Sequence, residues 1–366
     1  MDDQRMIRSF LAEAPPSAEV IAEGRRRVLA QAKPRPRPRG TTFRLGLGGL
    51  GVATAAAATA VALTVSGGSP ASRTMPTTQL TAQQVLLAAA QKAASEPVGR
   101  YWHSHVIDGQ AYHVAKGDYV ITGARHEIDQ WIARTDGDDD VFRSRFAGAI
   151  PQTSADRAAW QRAGSPSTWR VLSNGQYIAQ TATPDKWDLV RTTPAQRKGY
   201  EKMLARARKE CAAKPRICPA AQQITQAQRE ALPKDPSALR AYLLSPGGKG
   251  GPSAALTNAA HFLAKPGSPK LRAAVFRTLA GMQGIRNKGR TTDVRGRTAT
   301  ALAARSSDAR GTFDVELLLR PGTYQVLGTE TVLVSGRGAE TQGMKPGTVF
   351  TQELFLEMGW ANTAPR

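Results

Sequence analysis

The chain has 366 residues, of which 41% are apolar, and a formal net charge of +21 at pH 7. This length leaves room for one large or two modest domains, and six tryptophans and nine phenylalanines favour a folded protein over a disordered one. Only two cysteines occur, and their spacing excludes the C-x-x-C sites of zinc and thioredoxin chemistry.

Residues 1–44 contain two predicted amphipathic helices. In DQRMIRSFLAEA the apolar residues recur at helical spacing until Pro15, and Ser17 can cap a second helix, SAEVIAEGRRRVLAQA. About 28 residues of helix cannot bury a core of their own, so they need a partner or the anionic inner leaflet of a membrane. The apolar residues predicted to contact a partner are Met6, Ile7, Phe10, Leu11, Val20, Ile21, Val28 and Leu29.

The uncharged stretch LGLGGLGVATAAAATAVALTV, residues 45–65, permits two interpretations. Gly46, Gly48 and Gly51 match the G-x-G-x-x-G of a dinucleotide-binding turn, but no strand precedes them and no acidic residue follows about 20 residues later. A helix of about 20 apolar residues spans about 30 Å of hydrocarbon, and small residues are tolerated there. The stretch therefore predicts one transmembrane helix.

The charges around this stretch predict its orientation, because basic flanking residues tend to stay in the cytoplasm. Eight Lys and Arg residues precede it closely, whereas Arg73 is the single cation between the span and Gln79. The long basic region favours a retained anchor over a cleaved signal peptide. We therefore predict a single-pass protein of the cytoplasmic membrane, with residues 1–44 inside, a linker at 66–79, and residues 80–366 outside.

The segment from residue 80 to residue 184 begins with a helix and continues as strands. TAQQVLLAAAQKAASE places Val85, Leu86, Ala89 and Ala93 on one side of a helix. GRYWHSHVID, QAYHVAKGDYVIT, HEIDQWIART and DDVFRSRFAG have the period-two pattern of antiparallel strands. A mixed stretch, 153–184, follows.

The remainder is first helical and then returns to strands. Helical patterns extend from TPAQRKGYEKMLARARKE to SPKLRAAVFRTLAGM, and strand patterns from GRTATALAAR to TVFTQELFLEMGW, where RPGTYQV contains the Pro-Gly of a hairpin turn. This order predicts an α+β fold, in which helices pack on one face of an antiparallel sheet. In the full chain, this domain is predicted to follow one transmembrane helix and two short cytoplasmic helices.

Two groups of residues have spacings that suggest metal sites. His103 and His105 face one side of a strand, and His113 in the next strand could approach them, but no Glu or Cys at ligand spacing accompanies them. Paired histidines on a solvated strand face are the commoner arrangement. DGDDD, 136–140, lacks the alternating order of a calcium loop and predicts a hairpin turn. No metal site is predicted.

Cys211 and Cys218 enclose CAAKPRIC, and a lone close pair in an oxidising exterior predicts a local disulfide, with two free thiols as the alternative. No G-x-S-x-G or H-E-x-x-H motif occurs at a usable position, so neither catalysis nor a cofactor is predicted. An exterior location makes nucleic acid an improbable partner. Phospholipid head groups or anionic envelope polymers match the basic charge better.

Several stretches together resemble a family of single-pass membrane proteins of actinobacteria that are commonly encoded beside sigma factors of the extracytoplasmic-function class. The matching stretches are MIRSFLAEAPP, RRRVLAQA, QVLLAAAQKA, GRYWHSH, LPKDPSALRAYLL, SPKLRAAVFRTLAGMQGI, TTDVRGRTATALA and VLGTETVLV. The helix followed by an antiparallel sheet also looks like the half-barrel of lipoprotein carriers and of the periplasmic regulator that guards an anti-sigma factor. Unlike zinc-containing anti-sigma domains, residues 1–44 have no His or Cys.

The resemblance implies a role beside a sigma factor. We therefore expect a membrane-anchored, anti-sigma-like regulator, whose exterior domain senses a signal and whose cytoplasmic helices bind a sigma factor or another regulator. The alternative is an envelope protein that binds a lipid or acylated ligand. Trp102 and Trp131 could line a cavity for it, although filled core is the commoner use of such residues.

Overall fold

The computed structural model describes residues 80–213, 224–244 and 250–365, and only the backbone of residues 210–213. These residues belong to one compact unit, Thr74–Arg366. Within them, no helix is both long enough and apolar enough to cross a membrane. The segment 1–44, the predicted span 45–65 and the linker 66–79 lie outside the described residues.

Helices and strands alternate through the described ranges much as the sequence predicts. The helices are α1 (Ala82–Ala94), α2 (Ser154–Arg162), α3 (Pro194–Ala213), α4 (Gln226–Glu230), α5 (Pro236–Leu243), α6 (Pro252–Leu263) and α7 (Pro269–Ala280). The strands of the first half are β1 (Tyr101–Val114), β2 (Tyr119–Gly123), β3 (His126–Ala133), β4 (Asp140–Phe146), β5 (Ile150–Pro151), β6 (Thr168–Ser173), β7 (Gln176–Thr181) and β8 (Asp188–Thr192). Those of the second half are β9 (Arg286–Thr292), β10 (Thr298–Asp308), β11 (Gly311–Leu319), β12 (Val326–Gly336) and β13 (Val349–Ala361).

Eleven of the described strands form one antiparallel sheet in the order β8-β4-β3-β1-β13-β12-β11-β10-β9, and β2 and β5 extend from β1. The last strand, β13, lies beside the first, so that Trp102 is paired with Trp360 and Ile107 with Leu354. This pair joins a first-half sheet to a second-half meander. The hairpin of β6 and β7 forms a separate two-stranded sheet.

Helices pack on one face of the large sheet, as predicted. Helix α6 lies against β10, β11 and β12, and α7 packs on α1. Their apolar sides and the facing strand residues form the main core, in which Trp102, Leu256 and Leu302 are completely buried. The described part of the protein is therefore of the α+β class.

Local sequence signals fix the starts of several helices. Thr81 caps α1 through its hydroxyl, which accepts from the Gln84 backbone N–H, while the Gln84 side chain accepts from the Thr81 N–H at 2.8 Å. This reciprocal arrangement satisfies two backbone donors that the helix leaves unpaired. Helices α5, α6 and α7 each begin with proline, whose fixed φ angle suits the first helical position.

Strand β1 is longer than the sequence suggests, because GRYWHSHVID and QAYHV form one continuous strand instead of two. Its first half pairs with β3 up to Ile107, and its second half pairs with β2 from Gln110. Gly109 lies at this change of partner, where an added Cβ would be 2.7 Å from Thr122 Cγ2. The glycine thus permits a close approach within the strand and does not form a turn.

The connection between β9 and β10, residues 293–297, folds over the sheet face opposite the helices; we call it the hairpin tip. Arg297 Nη1 donates to the Phe355 carbonyl at 2.6 Å and Arg297 Nη2 to the Leu327 carbonyl at 3.0 Å. Val294 and Arg295 line a cavity of about 50 Å³ together with residues of β2 and β5. One end of the second-half meander therefore reaches back towards the first half.

Candidate functional site

The predicted histidine pair lies on the sheet face opposite the helices. His103 and His105 point to the same side of β1, as expected. Trp102, the residue before His103, points to the other side, into the helix-covered core. Directly across from them on β3 are Trp131 and Asp129. The strand period thus places apolar and titratable side chains on opposite faces of one strand.

Each histidine is paired with a carboxylate, and each carboxylate with an arginine. His103 Nε2 lies 2.7 Å from Asp129 Oδ1, and Asp129 also accepts from Arg143. Two residues further along each strand, His105 Nε2 lies 2.9 Å from Glu127 Oε1. The six residues of this ion ladder are His103, Asp129 and Arg143 in one row, and His105, Glu127 and Arg145 in the other.

Two tryptophans bracket the arginines of the ion ladder. Trp131 stacks on His103 with ring centroids 4.3 Å apart. The Arg143 guanidinium carbon lies 5.4 Å from the Trp131 ring centroid and 5.3 Å from that of Trp187, and Arg145 lies 4.5 Å from Trp187. These cation–π contacts help to hold the arginines beside the carboxylates to which they donate.

The carboxylates of the ion ladder are ionised in spite of their burial. Burial opposes ionisation of Asp129, but hydrogen bonds from His103 and Arg143 hold its pKa below the usual value. Glu127 is likewise buried, and its bonds from Arg145 and His105 lower its pKa. The ion ladder is thus a set of neutralised pairs, which stabilises this face.

His113 lies far along β1 from the other two histidines, so the three do not come together. It belongs to the same strand and not to the next, and its Nε2 lies 2.8 Å from Asp118 Oδ1 in the β1–β2 turn. Within the described ranges, no three His, Cys, Asp or Glu side chains are placed to hold a metal ion. DGDDD connects β3 to β4, and its Asp138 accepts from Arg100 Nε at 2.9 Å.

A groove of about 940 Å³ lies at the other end of β1. Three parts of the chain form its walls, namely the end of β1 with its turn, the β6–β7 hairpin, and the segment 339–343. The lining of the groove includes Tyr112, Lys116, Tyr119, Trp169, Arg170, Val171, Leu172, Tyr177 and Glu340.

The floor of the groove is aromatic and its walls carry charge. Trp169 Nε1 donates to the Tyr119 hydroxyl at 2.9 Å, which ties the β6–β7 hairpin to β2. Burial raises the pKa of Tyr112, which keeps this phenol protonated. The Arg170 guanidinium carbon lies 5.0 Å from the Tyr177 ring centroid, and Tyr177 is 64% exposed. Aromatic surface with a few polar groups in a concave site is typical of ligand binding.

The remaining predicted site residues lie at or beyond the limits of the described ranges. The eight predicted contact residues, Met6 to Leu29, lie outside the described residues. Cys218 lies outside them as well, and Cys211 is described only by its backbone in α3. Both the partner contact and the disulfide stay predictions.

Trp102 and Trp131 do not line the common cavity that the lipid-binding alternative would use. Trp102 pairs with Ile132 in the register of β1 and β3, so Trp131 projects from the opposite face. Trp102 is completely buried under the helices, where its Nε1 donates to the Ala264 carbonyl at 2.8 Å. Its environment is filled core.

Comparison of the chain with protein-family models, with curated proteins and with solved structures finds no match. The resemblance to the sigma-factor-associated family therefore rests on the stretches quoted above. The order of segments along the chain and the geometry of the described sites are the features that bear on function.

Proposed function

We propose that this protein is a membrane-anchored, anti-sigma-like regulator that couples an exterior sensing domain to a cytoplasmic sigma factor. The observation that carries the proposal is the order of segments. Two predicted amphipathic helices in residues 1–44 precede an uncharged stretch at 45–65, and the compact unit begins at Thr74. The sensing domain on this view is that unit, which holds both the groove and the ion ladder.

The shape of the sheet supports the finer proposal that the exterior domain is a half-barrel. The hairpin tip bonds across the sheet to Phe355 and Leu327, and it meets β2 and β5 at the 50 Å³ cavity. Buried small residues on the face it approaches, Ala299 and Ala301, permit strong curvature there. Helices α6 and α7 with α1 would then cover the other face. A half-barrel likeness is a likeness of fold and does not assign an activity.

The cytoplasmic contact is proposed to be a helix-in-groove interaction, in which one apolar stripe enters a partner. Phe10 and Leu29 represent the two predicted helices and are the best single targets. A buried carboxylate without a partner costs several kcal/mol, so an aspartate in either stripe should abolish binding. Charge reversal at Arg25 to Arg27, by contrast, is expected to weaken binding less than either of these substitutions.

The test is affinity capture of the tagged full-length protein from cells of the producing organism, with co-purifying proteins identified by mass spectrometry. We expect a sigma factor with the unaltered protein and its loss with Phe10→Asp and with Leu29→Asp. Ser9→Asp is the matched control, because it adds the same charge beside the stripe. Capture that survives both apolar substitutions, or the absence of any sigma factor, would contradict the proposal.

A further inference from the structure

A strand edge without a partner lies in the groove. Strand β6 pairs with β7 on one side and with no other described strand on its second side. Each of the residues 168–172 lines the groove, whichever face of the hairpin its side chain lies on. Because consecutive side chains of a strand alternate between its two faces, this lining indicates that the groove follows the edge of β6 and not one of its faces.

The β6–β7 turn determines which backbone groups of β6 point into the groove. The turn is the two-residue segment Asn174–Gly175, in which both residues have positive φ angles, of 49° and 76°. In a hairpin of this type the pair beside the turn, here Ser173 and Gln176, exchanges two hydrogen bonds, and every second pair along the strands does the same. The intervening residues of β6 therefore direct their N–H and C=O groups away from β7.

Thr168, Arg170 and Leu172 are these intervening residues, and all three line the groove. No described residue donates to their outward N–H groups or to their C=O groups. A row of unpaired donors and acceptors at strand spacing is the feature to which a further β-strand adds, because the main-chain hydrogen bonds of the new strand satisfy it. The edge of β6 is thus suited to an extended peptide.

The size of the groove matches a short strand. A strand of six residues is about 20 Å long, and its spacings of about 4.8 Å within a sheet and about 10 Å between packed faces correspond to a volume of about 950 Å³. The groove holds about 940 Å³. It can therefore accept an added strand together with its side chains.

The charges of the groove favour an acidic peptide over a second copy of this chain. A two-fold antiparallel pair that uses the whole edge would place two Arg170 side chains opposite each other, and like charges in directly opposed positions are destabilising. The contact of Arg170 with the Tyr177 ring leaves its charge uncompensated. Lys116 adds a second cation to the lining, which contains one carboxylate, that of Glu340.

We propose that the groove binds an extended peptide segment of another protein, which adds antiparallel to β6 as a further strand. An acidic side chain of the peptide lies opposite Arg170. The residues on either side of it direct apolar side chains to the packed face of the hairpin, on which Trp169 and Val171 lie. This binding belongs to the described domain and does not depend on the cytoplasmic contact, so it goes beyond the proposed regulatory function.

The test is a fluorescence polarisation titration of the purified full-length protein in detergent. The probe is the hexapeptide Thr-Val-Val-Glu-Val-Thr, labelled with fluorescein at its N-terminus and amidated at its C-terminus. We expect saturable binding, which N-methylation of the glutamate should weaken about tenfold, because that N–H donates to the Arg170 C=O. The matched control is N-methylation of the preceding valine, whose N–H points away from β6 and whose modification should change the affinity little. Lysine in place of the glutamate should weaken binding about threefold to fivefold.

The variant Leu172→Pro tests the same edge from the protein side. Proline lacks the outward N–H, whereas the bonds of Val171 and Ser173 to β7 remain, so binding should weaken about tenfold. Leu172→Ala keeps this N–H and is the matched control, and circular dichroism of each variant checks that the fold is kept. The methylated peptides test the edge without any change to the protein.

Three results would overturn the proposal. The first is the absence of saturable binding of the hexapeptide. The second is equal affinity for the two methylated peptides, or equal affinity of Leu172→Pro and Leu172→Ala for the unmodified one. The third is a dimer in analytical ultracentrifugation that Leu172→Pro dissociates, because a second copy of the chain would then occupy the edge. None of these results bears on the capture of a sigma factor.

Discussion

The two faces of the sheet at β1 are stabilised in different ways. On the helix-covered face, Trp102 is completely buried and its ring centroid lies 5.3 Å from that of Trp360. On the opposite face, the neighbouring residue His103 begins the ion ladder. Burial of apolar area is indifferent to pH, whereas paired carboxylates such as Asp129 contribute only while they are ionised.

Apolar burial therefore dominates the stability of the helix face, whereas the buried and paired carboxylates make the opposite face the more sensitive to pH. The helix face also contains one buried cation, Arg272, whose guanidinium carbon lies 4.2 Å from the Trp102 centroid and whose Nε bonds Glu96 at 2.8 Å. That single pair is surrounded by apolar core. Substitutions on the two faces should therefore separate by size and by pH response.

The largest effect is expected for Trp102→Ala on the helix face. The substitution removes the contact with Trp360, the stacking of Arg272 and the hydrogen bond to Ala264. We expect the free energy of unfolding to fall by about 3 to 5 kcal/mol at every pH, measured by denaturant titration. A loss below about 1 kcal/mol would show that this face is not the main source of stability.

The second effect should appear at Glu330, which lies on the face opposite the helices beneath the hairpin tip. Burial raises its pKa to about 7, with Asp293 and Glu316 nearby, although the Val294 N–H donates to it at 3.2 Å. The ordinary value of an unfolded glutamate is about 4.3, so the folded protein binds the extra proton between these pH values. The unaltered protein should therefore lose stability as the pH rises from about 4 to about 7.

Glu330→Gln removes this ionisation. Paired denaturant titrations should show that the free energy of unfolding of the variant, relative to that of the unaltered protein, rises by about 2 to 3 kcal/mol from pH 4 to pH 8. The facing charges on the packed elements are Glu316 with Lys288, and Asp293 with Arg297. An unchanged difference across this range would mean that Glu330 ionises normally in the folded protein.

A smaller effect of opposite pH dependence is expected for Asp129→Asn in the ion ladder. The pKa of Asp129 is lowered in the folded protein, so its stabilisation is present above the ordinary carboxyl pKa of about 4 and is lost on further acidification. We expect a deficit of about 1 to 2 kcal/mol at pH 7 that vanishes in strong acid. Asp136→Asn is the control at pH 7, since that side chain is 84% exposed; a deficit that persists unchanged in strong acid would contradict this view.

The smallest effect should follow Trp187→Ala. Trp187 covers Arg143 and Arg145 without entering a core, so about 1 kcal/mol of cation–π attraction is lost. Thermal unfolding should shift by only a few degrees. A loss as large as that of Trp102→Ala would break the distinction between the two faces.

Much of the fold follows from the sequence because its signals are local. The stripe of Val85 and Leu86 predicts α1, and the alternation in HEIDQWIA predicts β3. The histidines, acids and arginines of the ion ladder also recur at period two in three strand segments, those of β1, β3 and β4. Their pairing could not be read from that pattern, because register depends on which strands become neighbours.

The groove could not be predicted at all, because three distant parts of the chain form it. Trp169 packs against the sheet through Tyr119, but nothing near it in sequence indicates residues 339–343. The burial of Arg272 could not be predicted either, since an arginine beside the apolar stripe of a helix such as α7 is usually solvated. Tertiary contacts alone determine both features.

The most direct test of the proposed regulator is site-specific photo-crosslinking in living cells, with a photoreactive phenylalanine analogue at position 10 of the full-length protein. The analogue at position 12, on the other side of the same predicted helix, is the control. We expect a covalent adduct with a sigma factor from position 10 and little from position 12. No sigma-factor adduct at position 10, or equal adducts from both positions, would contradict a stripe-mediated contact and with it the proposed function.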